Sequence, residues 1–536
     1  AFAQLRALAR AGTPASVAVY GGNNQTGAVG SRLADSLAVI VRDTYGNPVQ
    51  GVGVSWSSPN GGSILPNPAP TDAQGVARVG WTLPTTPGPL SAVAGVGNAS
   101  AAFTATAVAG PPASVTVTPT AITASPDSTV TVTATVRDAY GNVVPSAPLT
   151  WSSSNPAVAS VAAGQGQAAV TTRDAGTATV TASAGAGATG TVQVTVAALR
   201  FTDVLAGASC GISTAGVLYC WGERSSGTGA PPTIVPRPYV ALNDRVYTQL
   251  ADRGVCMLDQ QGNVKCQLGT TTTGPFAFIS GSSSTVCMLD AAGAAYCWGF
   301  GNLGQVGQGS RQNAPNPTAV AGGRTYTTIA SGNTHSCART PAGEVYCWGL
   351  NTSGQLGLGT TTGPDGCGLT SSIPCSQTPR LVLGGLTFRS IGMGGTHSCG
   401  VATDGSVWCW GSNGSGQLGD GTTTSSSVPV RVTGVSNLKA ITGSDSHTCG
   451  IAQDDSVWCW GENGDGQLGT GNTTDSLVPV QVSGGLRASV ISALGANTCA
   501  ISTAGSTWCW GNNETGAVGD GTSGNDRPVP TRVTGT

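Results

Sequence analysis

Charge is what this chain has least of. Only 9% of its 536 residues are charged, against about a quarter in an ordinary soluble domain. Its 23 basic and 25 acidic residues leave a formal charge of −2 and no basic stripe, which argues against nucleic acid as a partner. Lysine occurs only as Lys265 and Lys439, and histidine only as His335, His397 and His447. No apolar run approaches the ~20 residues of a membrane-spanning helix, so no transmembrane segment is expected. No Cys-x2-Cys or mixed Cys/His spacing suits a zinc cluster, and no phosphate-cradling loop leads into a helix. Helical propensity is confined to the start, where Phe2, Leu5 and Leu8 form a short apolar stripe. That stripe lacks the long apolar centre of a signal peptide. Residues 1–11 are read as an N-terminal arm, either docking on a neighbouring subunit or frayed.

Glycine, serine and threonine are abundant instead, with 81 glycines and 12 tryptophans. A disordered chain would be rich in charge and poor in aromatic and β-branched residues; this one is the reverse. It reads as all-β and dense in turns. Val41-Arg42-Asp43-Thr44-Tyr45-Gly46-Asn47 is echoed by Val136-Arg137-Asp138-Ala139-Tyr140-Gly141-Asn142, and Val54-Ser55-Trp56-Ser57 by Leu149-Thr150-Trp151-Ser152. Short alternating strands with Gly, Asn and Pro turns predict two β-sandwiches, at residues 12–109 and 110–197, with Trp56 and Trp151 as buried anchors. The Asp-x-Tyr-Gly-Asn turn followed by a Val-x-Trp strand resembles the bacterial immunoglobulin-like domains of invasin and intimin type. The resemblance implies stacked domains on a cell-surface protein. The short, proline-stiffened junction Ala109-Gly110-Pro111-Pro112 suits a semi-rigid stack.

From residue 198 onward the pattern changes. Seven cysteine pairs flank the same short hairpin: Cys210 with Cys220, Cys256 with Cys266, Cys287 with Cys297, Cys337 with Cys347, Cys399 with Cys409, Cys449 with Cys459, and Cys499 with Cys509. An eighth pair, Cys367 with Cys375, lies in an insertion. A unit of about 50 residues repeated seven times, with a central turn, marks a radially repeated β-structure. With the turn at Asp404-Gly405, Cys399 and Cys409 fall opposite each other, about 4.5–5.5 Å apart at Cα, within reach of a disulfide. All sixteen cysteines are expected to be bridged, which places the chain in an oxidising compartment. Each short loop contributes about 3 kcal/mol on the chain-entropy model.

The repeats share Tyr/Trp-Cys-Trp-Gly, as in Tyr219-Cys220-Trp221-Gly222 and Trp458-Cys459-Trp460-Gly461. Gly-Gln-Leu-Gly follows at 354–357, 416–419 and 466–469, with variants at 304–307 and 516–519. These motifs resemble the regulator-of-chromosome-condensation repeat family over residues 199–535, which implies a seven-bladed β-propeller spanning 198–536. The second repeat is worn, Val264-Lys265-Cys266-Gln267 replacing the signature, and the first lacks the Gly-Gln-Leu-Gly element. Ring closure is expected through pairing of Phe201–Leu205 with Val529–Val533, because rings avoid an open edge. The family's nucleotide exchange on a small nuclear GTPase is not expected, since a reducing nucleus would not keep the bridges.

The search for chemistry yields little. His335, His397 and His447 each stand two residues before a cysteine of consecutive repeats. Three imidazoles suit zinc, but no carboxylate recurs as a second layer; the alternative is a turn residue before the inner strand. Gly207-Ala208-Ser209-Cys210-Gly211 fits the hydrolase elbow in letters but not in context. Asp420-Gly421-Thr422 and Asp520-Gly521-Thr522 read as turns rather than calcium loops. The recurrent aromatics read as core rather than a sugar platform. Asn-x-Ser/Thr sequons occur at Asn24, Asn98, Asn351, Asn413, Asn472 and Asn513.

The sequence therefore predicts an extracellular or cell-surface, non-enzymatic structural or interaction protein without a cofactor. The first expectation is a self-assembling subunit of a fibre or layer, partnered by itself. Sparse charge, sandwich edge strands and the N-terminal arm favour that. The alternative is a monomeric adhesin or secreted inhibitor gripping another surface protein or glycan by the propeller loop face.

Overall fold

The computed structural model describes residues 10–126, 128–185, 187–224, 232–251, 256–266, 271–282, 284–368 and 370–535. The N-terminal arm, apart from its last two residues, lies outside them. Two compact units emerge, residues 1–197 and 198–536, and each is built almost wholly of strands. Among the described residues the one helical element is the three-residue turn Ser483–Gly485.

The first unit contains two sandwiches of one topology. In the first, one sheet runs in the order Pro14–Gly21, Leu37–Asp43, Val76–Thr82, Ser63–Leu65. It faces a sheet in which Gln25–Ala28 runs parallel to Ala99–Val108. The second sandwich repeats both features, with Ala121–Ala124 parallel to Thr189–Val196. Alternation puts Leu37, Val39 and Val41 inside, where they meet Trp56, Trp81 and Phe103. Trp81 is fully buried and Trp56 nearly so. The expected symmetry of anchors fails in the second sandwich. Trp151 is only half-buried, because that core closes over small residues, Val132, Val170, Val180 and Val192, each 0% exposed. Trp81, unnoticed in the sequence, takes the anchoring role in the first.

The Asp-x-Tyr-Gly-Asn turn is held by its aspartate. Asp43 accepts the backbone amides of Gly12, Tyr45 and Asn47, each at 2.9 Å, and Asp138 does the same for Gly110, Tyr140 and Asn142. Gly110 belongs to the inter-sandwich junction, so Asp138 ties that junction to its own domain. The next contact crosses it: Asn142 Nδ2 donates to the Thr85 carbonyl at 2.8 Å, and a Cβ on Gly30 would meet the Tyr140 hydroxyl. These contacts give the stiff junction a structural basis.

The Gly12 amide, ahead of burial and the Asn47 contacts, holds the Asp43 carboxyl down to about 2. A depressed carboxyl contributes stability that is present above its ordinary value and disappears as pH falls through the folded value. The sandwich unit is therefore expected to weaken between about pH 4 and pH 2. Pulse proteolysis with pepsin across a urea series should record this, and Asp43→Asn should flatten the dependence.

The second unit consists of seven antiparallel sheets among the described residues. The sixth is representative, in the order Leu438–Gly443, His447–Ala452, Val457–Gly461, Ser476–Gln481. The fourth gains a fifth strand, Asp365–Cys367, from its insertion. That insertion leans on the preceding repeat: Gly368 N donates to the Asn302 carbonyl at 2.9 Å, and Arg311 reaches the Gly368 carbonyl at 3.1 Å.

All seven hairpin pairs are bridged as the spacing predicts. Cys210 is joined to Cys220, Cys256 to Cys266, Cys287 to Cys297, and Cys337 to Cys347. Cys399 is joined to Cys409, Cys449 to Cys459, and Cys499 to Cys509. The partners are directly opposed in register, as Cys287 faces Cys297, Cys337 faces Cys347 and Cys499 faces Cys509. Their Cα atoms stand 4.0–4.1 Å apart. This corrects the expected 4.5–5.5 Å, since the sulfur bridge ties residues that already face one another. Cys367 and Cys375 are also bridged, at 5.8 Å, being offset in register by two residues.

The expected strand exchange at closure is not there. Phe201–Leu205 pairs with Cys210–Ser213 of its own sheet, and Arg527–Arg532 pairs with Thr507–Gly511 of the last. Each sheet draws all its strands from one repeat, so no strand is left over to share. The first and last repeats meet through side-chain packing and loop hydrogen bonds instead, such as Gly521 N to the Pro236 carbonyl at 2.8 Å. Phe201, Val204 and Trp221 pack with Ile501, Val518 and Val533, and Ala206 N donates to Ser492 Oγ at 3.1 Å.

Candidate functional site: the staples between sheets and the outer aromatic row

The Gly-Gln-Leu-Gly element proves to be a joint. Its glycines at 416 and 419 have φ of +81° and +68°, a region only glycine enters without strain. The resulting turn aims the backbone carbonyl of Gln417 at the next sheet. There it accepts Trp460 Nε1 at 2.9 Å and Thr448 Oγ1 at 2.9 Å. Gln355 receives Trp410 and Ser398 in the same way, at 3.0 and 2.9 Å. Gln467 receives Trp510 and Thr498, both at 2.9 Å. The variant elements work too. Gln305 accepts Trp348 at 2.9 Å, and Ala517, in the last repeat, accepts Trp221 at 2.8 Å and Ser209 at 3.1 Å in the first.

The three histidines extend these joints. His335, His397 and His447 are fully buried, and each Nε2 meets a hydroxyl of the following sheet: Ser398 at 2.8 Å, Thr448 at 2.8 Å, Thr498 at 2.9 Å. Because those hydroxyls donate onward to Gln carbonyls, they accept from the imidazole. Nε2 therefore carries the proton. Each Nδ1 is left without a partner. Burial drives all three pKa values down, to about 3 for His335, about 4 for His397 and about 3 for His447, so the rings are neutral at physiological pH. Among the described residues no group of three His, Cys, Asp or Glu side chains gathers to hold a metal. The zinc candidates are thus inter-sheet links, each imidazole being committed to a hydroxyl.

Repeats 1 and 2 lack the Gly-Gln-Leu-Gly element in sequence, and carboxylate and amide side chains link their described strands to the next sheet. Asp203 Oδ2 accepts Leu250 N of the second sheet at 2.8 Å. Gln249 Oε1 accepts Ile279 N of the third at 3.1 Å, and its Nε2 reaches the Ala277 carbonyl at 3.2 Å. Burial, opposed by two amide bonds, pushes the Asp203 carboxyl up to about 6.

The other sequence candidates are structural as well. Ser209, in the elbow-like string, spends its hydroxyl on Ala517. Asp420 accepts from Thr422 N at 2.9 Å, and Asp520 pairs with Arg527 at 2.7 Å, both organising turns. Asn351, Asn413 and Asn513 are fully buried. Asn413 Oδ1 takes the Leu418 amide at 2.9 Å while its Nδ2 reaches the Thr422 and Thr424 carbonyls. A sugar cannot be attached there without dismantling the joint, whereas Asn24, Asn98 and Asn472 are exposed. Sequence reasoning saw Asn351, Asn413 and Asn513 only as sequons and gave no joint role to them or to the hydroxyls of Ser209, Ser336, Ser398, Thr448 and Thr498, each standing just before a cysteine. The signal of the asparagines is the fixed offset, Asn413, Asn463 and Asn513 each standing three residues after a buried Trp.

The aromatic pairs divide. Trp221, Trp348, Trp410, Trp460 and Trp510 are buried between sheets, as expected of core. The first member of the later pairs, Trp408, Trp458 or Trp508, is only half-buried on the outer side. Trp408 Nε1 donates to Ser406 Oγ at 2.7 Å, and Ser406 bonds Asp404 at 2.5 Å. Trp458, Ser456 and Asp454 repeat the chain.

Two family models match the chain. The RCC1-like domain covers residues 259–536, and the bacterial Ig-like domain (group 1) covers residues 22–108 and 112–197. The ultraviolet-B receptor UVR8 of Arabidopsis thaliana is 32% identical over 156 residues, 28% of this chain and 33% of the receptor. The chain thus spans about a third of that relative's length. Yeast RCC1 (Prp20), solved with Kap60, is similar in fold: TM-score 0.51, 20% identity, 59% of this chain and 83% of that chain covered. The Escherichia coli adhesin FdeC aligns at a TM-score of 0.29 and 17% identity, over 58% of this chain and 99% of that one. With the first model matching more than half its length, the chain belongs to the RCC1-like domain family, and two bacterial Ig-like domains precede that domain.

Proposed function

We propose that this chain is a non-enzymatic interaction protein at the outside of a bacterial cell, in which two sandwiches precede a stiff, seven-bladed, disulfide-clamped propeller that grips a partner. One observation carries the reading: in residues 198–536 the buried hydroxyls, the histidine Nε2 atoms and the indoles of Trp221, Trp348, Trp410, Trp460 and Trp510 are engaged in joints between sheets. An acid–base or nucleophilic group needs a free, aimed side chain, and the candidates from the sequence are all engaged. Function then falls to the outer surface. Eight bridges and the bacterial Ig-like domains fit an extracellular location. Yeast RCC1, which is similar in fold, is solved bound to another protein, Kap60.

Of the two finer readings, the monomeric binder is favoured by the rim of the propeller. The fourth strand carries proline in six of the seven sheets, for example Pro236, Pro315, Pro429, Pro479 and Pro528. Proline denies the amides that edge-to-edge pairing needs. Self-assembly into a fibre or layer draws support from the sandwich edge Pro14–Gly21, where Val19 and Tyr20 are 41% and 58% exposed. Sedimentation velocity and negative-stain microscopy of the full chain separate the two. Dispersed monomers across a concentration series are expected. Regular polymers dissolved by Val19→Lys would establish assembly through that edge instead.

A further inference from the structure

The geometry points to a peptide-binding groove on the outer face of the last sheet, shaped for an acidic residue flanked by apolar ones. This inference rests on reading the chain as an interaction protein and names the class of partner.

The groove, of 650 Å³, is lined by Leu486, Arg487, Trp508, Val529, Pro530 and Arg532 among others. Its character follows from comparing three sibling sheets at one register position. Trp408 stands directly opposite Arg431, Trp458 opposite Gln481, and Trp508 opposite Arg532; directly opposed residues share a face of the sheet. In the fifth sheet the hairpin turn supplies Asp404, whose carboxyl is held low first by Ser406 and also by the charge of Arg431. In the sixth it supplies Asp454, which Arg487 engages at 2.7 Å. In both, the carboxylate also anchors the serine that receives the indole N–H.

The seventh sheet keeps the tryptophan, the serine and the arginine but has Ala504 where the aspartate would stand. Cations crowd the vacancy: Arg200 donates to the Ala504 carbonyl, and Arg487 and Arg532 line the groove. Arg487 already has Asp454. Arg532 is exposed and makes no ion pair within 4 Å among the described residues, while Arg487 and Arg527 pair with Asp454 and Asp520. A carboxylate from outside can therefore replace the one that the sibling sheets provide internally.

The rest of the lining decides what carries it. Leu486, Val529, Pro530 and the half-buried Trp508 offer hydrocarbon, which a leucine-like side chain covers better than a sugar's hydroxyls do. A guanidinium beside an aromatic and aliphatic wall matches Asp or Glu next to a bulky apolar residue. Strand addition is not the mode, since Pro528 and Pro530 interrupt the edge.

The test uses the full chain and a fluorescein-labelled octapeptide of alternating Leu and Glu, read by polarisation. Its Leu/Gln counterpart and trigalacturonate serve as separate arms. Saturable binding of the Glu peptide is expected, weakened by added salt and by at least about tenfold in Arg532→Gln and in Ala504→Asp. Both replacements install residues that the sixth and fifth sheets already carry at these positions, so an unchanged thermal transition should accompany them. The proposal is overturned by equal binding in the variants, by no saturation up to about 1 mM, or by preference for the Gln peptide. It is equally overturned if trigalacturonate binds and the Glu peptide does not, which would assign the groove to a saccharide. A null result with dispersed monomers in sedimentation removes this groove alone and leaves the broader reading standing.

Discussion

Trp460→Ala is expected to destabilise residues 198–536 by about 3–5 kcal/mol, the range for deleting a fully buried aromatic. Trp460 is 0% exposed and packs with Leu418 and Val432 of the preceding repeat and with Leu438 of its own. It also gives the Gln417 carbonyl one of its two hydrogen bonds. Truncation therefore opens a cavity between two sheets and loosens the joint that aligns them. Trp458, two residues earlier and half-buried on the outer side, makes the internal control. Trp458→Ala removes less enclosed surface and is expected to cost only about 1–2 kcal/mol. Differential scanning calorimetry of the two variants against the parent chain measures both. Equal losses would mean that the inter-sheet tryptophans have no special standing.

The second large effect concerns sulfur, and the two units should respond differently. All sixteen cysteines lie in residues 198–536, and the sandwiches have none. The bridged cysteines are at most 6% exposed, so reductant reaches them only when the unit opens. Each bridge closes a short loop, for about 3 kcal/mol in the unfolded-state model. Eight such terms exceed the 5–15 kcal/mol by which folded domains typically outweigh their unfolded states. Reduction in denaturant, alkylation and return to buffer should abolish the thermal transition of the propeller region. The transition of residues 1–197 should return within about 2 °C of its original midpoint. Loss of both transitions would show that the sandwiches depend on the oxidised unit.

How much of this was legible in the sequence depends on whether a feature was carried by spacing or by contact. Period gave the repeats, the hairpins and the opposed cysteines, because alternation and a fixed turn leave a strand few registers. The duplicated Asp43 and Asp138 turns were visible for the same reason. Closure was misjudged. Strand exchange is one way to hide an edge, but whether a repeat supplies all its own strands depends on where its loop breaks, and Phe201–Leu205 could join either neighbour on pattern alone. The histidines were seen and assigned to no fixed role, since their partners Ser398, Thr448 and Thr498 lie 63, 51 and 51 residues downstream in the next repeat. Trp151 looked like Trp56 in its local motif. Its partial exposure reflects valines elsewhere in the second core that leave no aromatic-sized space. The groove beside Trp508 was invisible one repeat at a time. It becomes apparent only when Ala504 is set against Asp404 and Asp454, and Arg532 is found across the ladder.

Non-reducing peptide mapping of the protein isolated from its native compartment tests the central claim most directly. The account expects no free thiol, seven bridges joining cysteines ten residues apart, and one joining Cys367 to Cys375. Free thiols at these positions, or bridges running from one repeat to another, would contradict both the clamped ring and the extracellular role.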